Sequence, residues 1–76
     1  MSPLPFLEVD VRPLVAARQP PIGAIMDAVD LLAPGQALRL IAPFEPVPLY
    51  AMLARQGFRH TTKRRDDDAW EILFER

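Results

Sequence analysis
The stretch from Leu32 to Tyr50 reads Leu-Ala-Pro-Gly-Gln-Ala-Leu-Arg-Leu-Ile-Ala-Pro-Phe-Glu-Pro-Val-Pro-Leu-Tyr, and it leaves the chain few options. Pro34 cannot continue a helix, and Gly35 suits a tight reversal. From Gln36 to Ala42 the residues alternate as a strand, with Leu38, Leu40 and Ala42 on one face and Arg39 and Ile41 on the other. Pro43 to Pro48 is a stiff elbow, and a helix follows from about Val47 to Gln56 with Leu49, Met52 and Leu53 as its buried side. Gly57 is placed to close that helix in a left-handed turn, with Phe58 folding back over Leu53.

The flanking segments extend this pattern. Phe6 to Val11 alternates as a strand, and Arg12-Pro13 ends it. Leu14 to Gln19 reads as a connecting loop. Pro20-Pro21 opens a helix whose apolar stripe is Ile22, Ile25, Met26, Val29 and Leu32, with Asp27 and Asp30 on the wet side. The C-terminal part is a hairpin of Phe58–Lys63 and Ala69–Glu75 around a charged tip at Arg64 to Asp68. The order β-α-β-α-β-β gives an α+β, two-layer sandwich: a four-stranded mixed sheet with two helices on one face. Its open face would carry Glu8, Asp10, Arg39, Arg59, Thr61, Lys63, Glu71 and Glu75, interrupted by Phe6, Ile41 and Leu73.

Seventy-six residues make a single domain, 1–76. So short a chain buries only about 60% of its unfolded surface. With no cysteine and one histidine, neither a disulfide nor a metal staple is expected, which raises self-association as a source of extra burial. Formal net charge is −1, so no global field draws in nucleic acid or an anionic membrane. No apolar run approaches a membrane span, and Met1 to Pro5 lacks the pattern of a signal peptide, so a cytoplasmic location is expected.

Residues Leu7-Glu8-Val9-Asp10-Val11-Arg12-Pro13-Leu14, Pro20-Pro21-Ile22, Pro34-Gly35, Ala42 to Leu49 and Gln56-Gly57-Phe58 are, in order and spacing, similar to a known group. The chain resembles the TusA/SirA-like superfamily of small sulfur carriers, and more closely the domain-of-unknown-function family DUF2249. The superfamily resemblance implies the same β-α-β-α-β-β sandwich. It also implies a persulfide-bearing cysteine in a Cys-Pro-x-Pro motif at the start of the first helix. Here Arg18 falls at the cysteine, Gln19 at the first proline and Pro21 at the second. Arginine has no nucleophilic sulfur, so the carrier chemistry does not transfer.

The candidate ligand-binding residues are Arg12, Arg18, Gln19, Phe44, Glu45 and Tyr50. The arginines and Gln19 are polar groups around a helix start, where backbone amides hold anions, although Pro20 and Pro21 remove two of those amides. Phe44 and Tyr50 are expected to line a shallow apolar pocket beside Arg12, and Arg12 to pair with Asp10 or Glu45. No catalytic residue, metal or cofactor is expected. Ser2 is the only serine, and Asp66-Asp67-Asp68 reads as a solvated tip beside Arg64 and Arg65. His60 reads as a packed strand residue. The leading expectation is a non-catalytic binding module for a protein partner or a small anion. Three other readings stay open: an accessory sulfur-transfer or redox protein without its own thiol, an RNA-binding domain using Arg59 to Arg65, and a homodimer through Phe6, Ile41 and Leu73.

Overall fold
A computed structural model describes residues 5–76; Ser2, with the rest of residues 1–4, lies outside them. The elements are β1 (Phe6–Asp10), α1 (Arg12–Ala16), α2 (Ile22–Asp30), β2 (Ala37–Ala42), α3 (Val47–Ala54), β3 (Arg59–Arg64) and β4 (Trp70–Glu75). The four strands form one mixed sheet in the order β1-β2-β4-β3. β1 runs parallel to β2, while β4 is antiparallel to both of its neighbours.

The turns follow from residue type. Between α2 and β2 the Gln36 N–H bonds to the Ala33 carbonyl at 3.0 Å, with Pro34 and Gly35 at the two central positions. Gly35 has φ +81°, the sign that a Pro-Gly reversal of type II requires. After α3, the Phe58 N–H bonds to the Leu53 carbonyl and the Gly57 N–H to that of Ala54, both at 3.0 Å. With Gly57 at φ +88°, this is the paired 6→1 and 5→2 ending expected from Gln56-Gly57-Phe58. The hairpin closes through Asp68 N–H to the Arg65 carbonyl and Arg65 N–H to that of Ala69. Asp68 there takes the left-handed position, φ 63°, of a three-residue loop.

The core lies between the sheet and the long helices. Leu38, Leu40, Ala42, Ile72 and Phe74 from the sheet join Ile25 and Val29 of α2, and Leu49 and Leu53 of α3, in one buried cluster with Val11 and Phe58. Each fully buried leucine in such a cluster stabilises the fold by about 1.5–3 kcal/mol relative to its exposed state.

Three expectations need correction. α1 begins at Arg12-Pro13, read as a strand end, and runs into the segment read as a loop, so three helices lie among the described residues. Pro13 sits in the first turn of α1, where its missing N–H costs nothing. The Arg18 N–H bonds to the Val15 carbonyl and the Gln19 N–H to that of Leu14, the same ending as in α3. Arg18 therefore occupies, at φ 58°, the left-handed position usually given to glycine. Secondly, Met52 is not on the buried side of α3 but 40% exposed. Thirdly, Ile41 is not a surface residue: it is only 3% exposed, although it lies on the face without helices.

Candidate functional site
Two concavities flank the positions singled out from the sequence. The first is a cleft of about 280 Å³ between the N-terminal ends of α2 and α3. Its floor is Val11, Leu40 and Ala42, at the carboxyl ends of the parallel strands. Pro21, Ile22 and Ile25 form one wall; Pro46, Pro48, Leu49 and Met52 form the other, and Phe44 stands on the elbow. Every lining residue is apolar. Ile22, Phe44 and Met52 remain 39%, 44% and 40% exposed, three large side chains grouped around one opening. The prolines that place them also leave both helices without a side-chain cap: Pro21 and Pro46 hold the cap positions.

The second concavity is the open face of the sheet, about 820 Å³ and lined by five basic and five acidic side chains. Most of these groups pair with one another. Arg12 contacts Asp10 at 2.8 Å and Asp67 at 2.9 Å. Arg39 meets Glu8 at 2.8 Å and covers the Phe6 ring at 3.9 Å. Arg65 reaches Glu71 at 3.3 Å and Asp67 at 3.5 Å. The register sets Ile41 opposite Asp10 on one side and Glu71 on the other, so Ile41 is covered by charged side chains rather than by a helix.

The charges adjust accordingly. Hydrogen bonds from the Arg12 guanidinium hold the Asp10 carboxyl below its ordinary value, and the same bonds, with that to Asp67, raise Arg12. Asp67 is lowered first by the Ala69 N–H and then by Arg12. This tip aspartate, read as merely solvated, thus ties the hairpin to the start of α1. Arg12 pairs with Asp10 as expected, but its second partner is Asp67 and not Glu45.

Glu45 and Tyr50 belong to a third arrangement. The Tyr50 hydroxyl lies 2.7 Å from Thr62 Oγ1 and donates to Glu45 at 3.1 Å. Burial raises the phenol above its ordinary value; the Glu45 contact adds to this and the Thr62 contact opposes it. The Tyr50 ring stacks on His60, which is an exposed residue and not packed in the core. The six candidate positions therefore do not converge. Phe44 lines the apolar cleft, Arg12 lines the charged face, Glu45 and Tyr50 bond to each other, and Arg18 and Gln19 are exposed beyond α1. The pocket expected between Phe44, Tyr50 and Arg12 is replaced by the cleft among Phe44, Ile22 and Met52. Its clue in the sequence was the pair of proline-led helix starts, each followed by large apolar residues.

Among the described residues no group of three His, Cys, Asp or Glu side chains is placed to hold a metal ion, and no helix is long and apolar enough to cross a membrane. Fold and site together define a small open α+β sandwich with an apolar cleft at the carboxyl end of its parallel strand pair and no thiol anywhere in the chain. A family profile matches residues 8–76, and the chain belongs to that family, the uncharacterised conserved proteins DUF2249. Comparison with curated proteins and with solved structures gives no significant match.

Proposed function
We propose that this chain is a non-catalytic binding and interaction module, cytoplasmic and cofactor-free, on a TusA/SirA-like fold in which Arg18 stands at the carrier-cysteine position. The observation that carries the reading is the apolar cleft with Ile22, Phe44 and Met52 exposed around it. Exposed apolar groups gathered at one opening mark a contact surface more than scattered ones do. The prolines hold the cleft open in advance, which lowers the ordering cost of binding. Its position at the carboxyl ends of β1 and β2 is where open sheets with parallel strands offer their crevice. By the superfamily resemblance, it is also the end of the molecule from which a carrier would present its sulfur.

The occupant is an uncharged apolar side chain of a protein partner. An anion there would lose its hydration without gaining a charged or polar contact. Arg12, the cation nearest to this reading in the sequence, is already held by two carboxylates. The test titrates N-acetyl-phenylalanine amide and N-acetyl-leucine amide while following the methyl signals of Ile22, Leu49 and Met52. Saturable shifts that vanish in Met52→Asp are expected, with none for N-acetyl-glutamate amide. Shifts absent in the native protein, or unchanged in the variant, overturn the assignment. Incubation with a persulfide donor is expected to leave the mass unchanged; an added sulfur atom would favour the sulfur-transfer reading.

A further inference from the structure
We infer that the outer edge of β3 is a docking edge for an acidic, extended segment of a partner protein, added as a fifth strand beside the sheet. β3 ends the sheet, and its partner β4 covers one side only. The Arg65 N–H bond to the Ala69 carbonyl fixes the alternation of the hairpin ladder. Residues 59, 61 and 63 then turn their backbone groups toward β4, and His60, Thr62 and Arg64 turn theirs outward. Among the described residues, nothing bonds to those three outward N–H and C=O pairs.

Edge strands are commonly protected by proline, a bulge, shortness or charge. β3 has six residues, no proline and an unbroken pairing register with β4, so charge is its only guard. That charge has one sign: Arg59, Lys63 and Arg64, with His60 between them. Arg59 makes no ion pair among the described residues. Lys63 is 69% exposed with Glu71 at 3.7 Å, and Arg64 is 54% exposed with Asp68 at 3.5 Å. Arg64 also lies over the Trp70 ring, 4.7 Å from its centroid. Loose surface pairs hold little energy, so Arg59 and Lys63 are the cations available to a new partner. Two β3 edges placed side by side would set like charges together. An acidic strand meets complementary charge and receives main-chain bonds from the free edge, the mode in which an extended peptide extends a sheet. Arg59 and Lys63 lie on the same face four residues apart, so the matching strand carries carboxylates at i and i+4.

The probe is an acetylated seven-residue peptide with glutamate at its second and sixth positions and threonine elsewhere. At saturating probe, exchange of the His60, Thr62 and Arg64 amides is expected to slow about tenfold or more, with little change at the already bonded Thr61 and Lys63. The effect should fade with added salt and be absent for the lysine counterpart of the peptide. Thr62→Pro removes an outward N–H at a position where an edge strand tolerates proline, so it should abolish the protection. Thr62→Val, which loses only the hydroxyl, should keep it. The inference is overturned if millimolar probe leaves those amides unprotected or if the lysine peptide protects equally. It is also overturned if single-stranded RNA, rather than the peptide, shields this strand. Concentration-dependent polymers that protect β3 would instead assign the edge to a second copy's acidic β1.

Discussion

Tyr50 and His60 lie ring against ring, centroids 3.7 Å apart and planes 7° from parallel. The stack joins α3 to the edge strand β3, and the Tyr50 hydroxyl adds a second link to Thr62. Removing the hydroxyl with Tyr50→Phe keeps the stack and should cost about 1 kcal/mol. Tyr50→Ala also loses the ring pairing, about 0.5–1.5 kcal/mol beyond its buried area. Urea denaturation checks both. A Tyr50→Phe variant as stable as the native chain would mean that the hydroxyl contacts contribute nothing.

Stability should fall at both extremes of pH, for separate reasons. Asp10 and Asp67 ionise more readily in the folded chain than at the ordinary value of 3.8. Their contribution is present above that value and is lost as pH falls through the lower folded values. Tyr50 is raised above 10.0, so its contribution is present below pH 10 and is lost as pH rises through the higher folded value. Thermal unfolding followed across pH should show Asp10→Asn with Asp67→Asn flattening only the acid limb, and Tyr50→Phe only the alkaline one.

Arg18 should be improvable. Its backbone holds a left-handed conformation, at φ 58°, that disfavours any residue with a Cβ by about 1–2 kcal/mol. Arg18→Gly relieves that strain while giving the unfolded chain more freedom, a partial offset of about 0.4–1 kcal/mol. A small net gain is expected, read as a higher denaturation midpoint. Conversely, Gly57→Ala should lose about 1–2 kcal/mol at φ +88°, although among the described residues no atom beyond Gly57 and its two chain neighbours lies within 4 Å of the added methyl group.

Met52 and Leu53 are neighbours on α3 with different roles. Leu53 is completely buried, so Leu53→Ala should cost about 2–5 kcal/mol. Met52→Ala should cost less, since much of its side chain already faces solvent at the cleft. Equal losses in calorimetry would mean that Met52 is a core residue.

The strand pattern, the Pro34-Gly35 turn and the ending at Gly57 were legible because each depends on neighbours in sequence. Alternation marked the faces of β1, β2 and β4, and glycine marked two positive φ values. α1 was obscured because Arg12-Pro13 reads equally as the end of a strand and the first turn of a helix. Arg18 gave no glycine to announce the end of α1. The cleft and the charged face depend on packing between distant residues, which local periodicity does not encode. Met52 falls on the apolar stripe of α3, yet among the described residues no element covers it, and it stays 40% exposed. Arg12 finds Asp67 55 residues away. Ile41 is buried by ion-paired side chains from neighbouring strands, a cover that a hydrophobic pattern does not reveal.

The most direct measurement is a set of intermolecular nuclear Overhauser contacts between bound N-acetyl-phenylalanine amide and the protein. Contacts from the probe ring to Ile22, Phe44 and Met52 are expected, with none to the side chains of Arg12 or Arg39. Contacts confined to the charged face of the sheet would contradict the apolar cleft as the binding site.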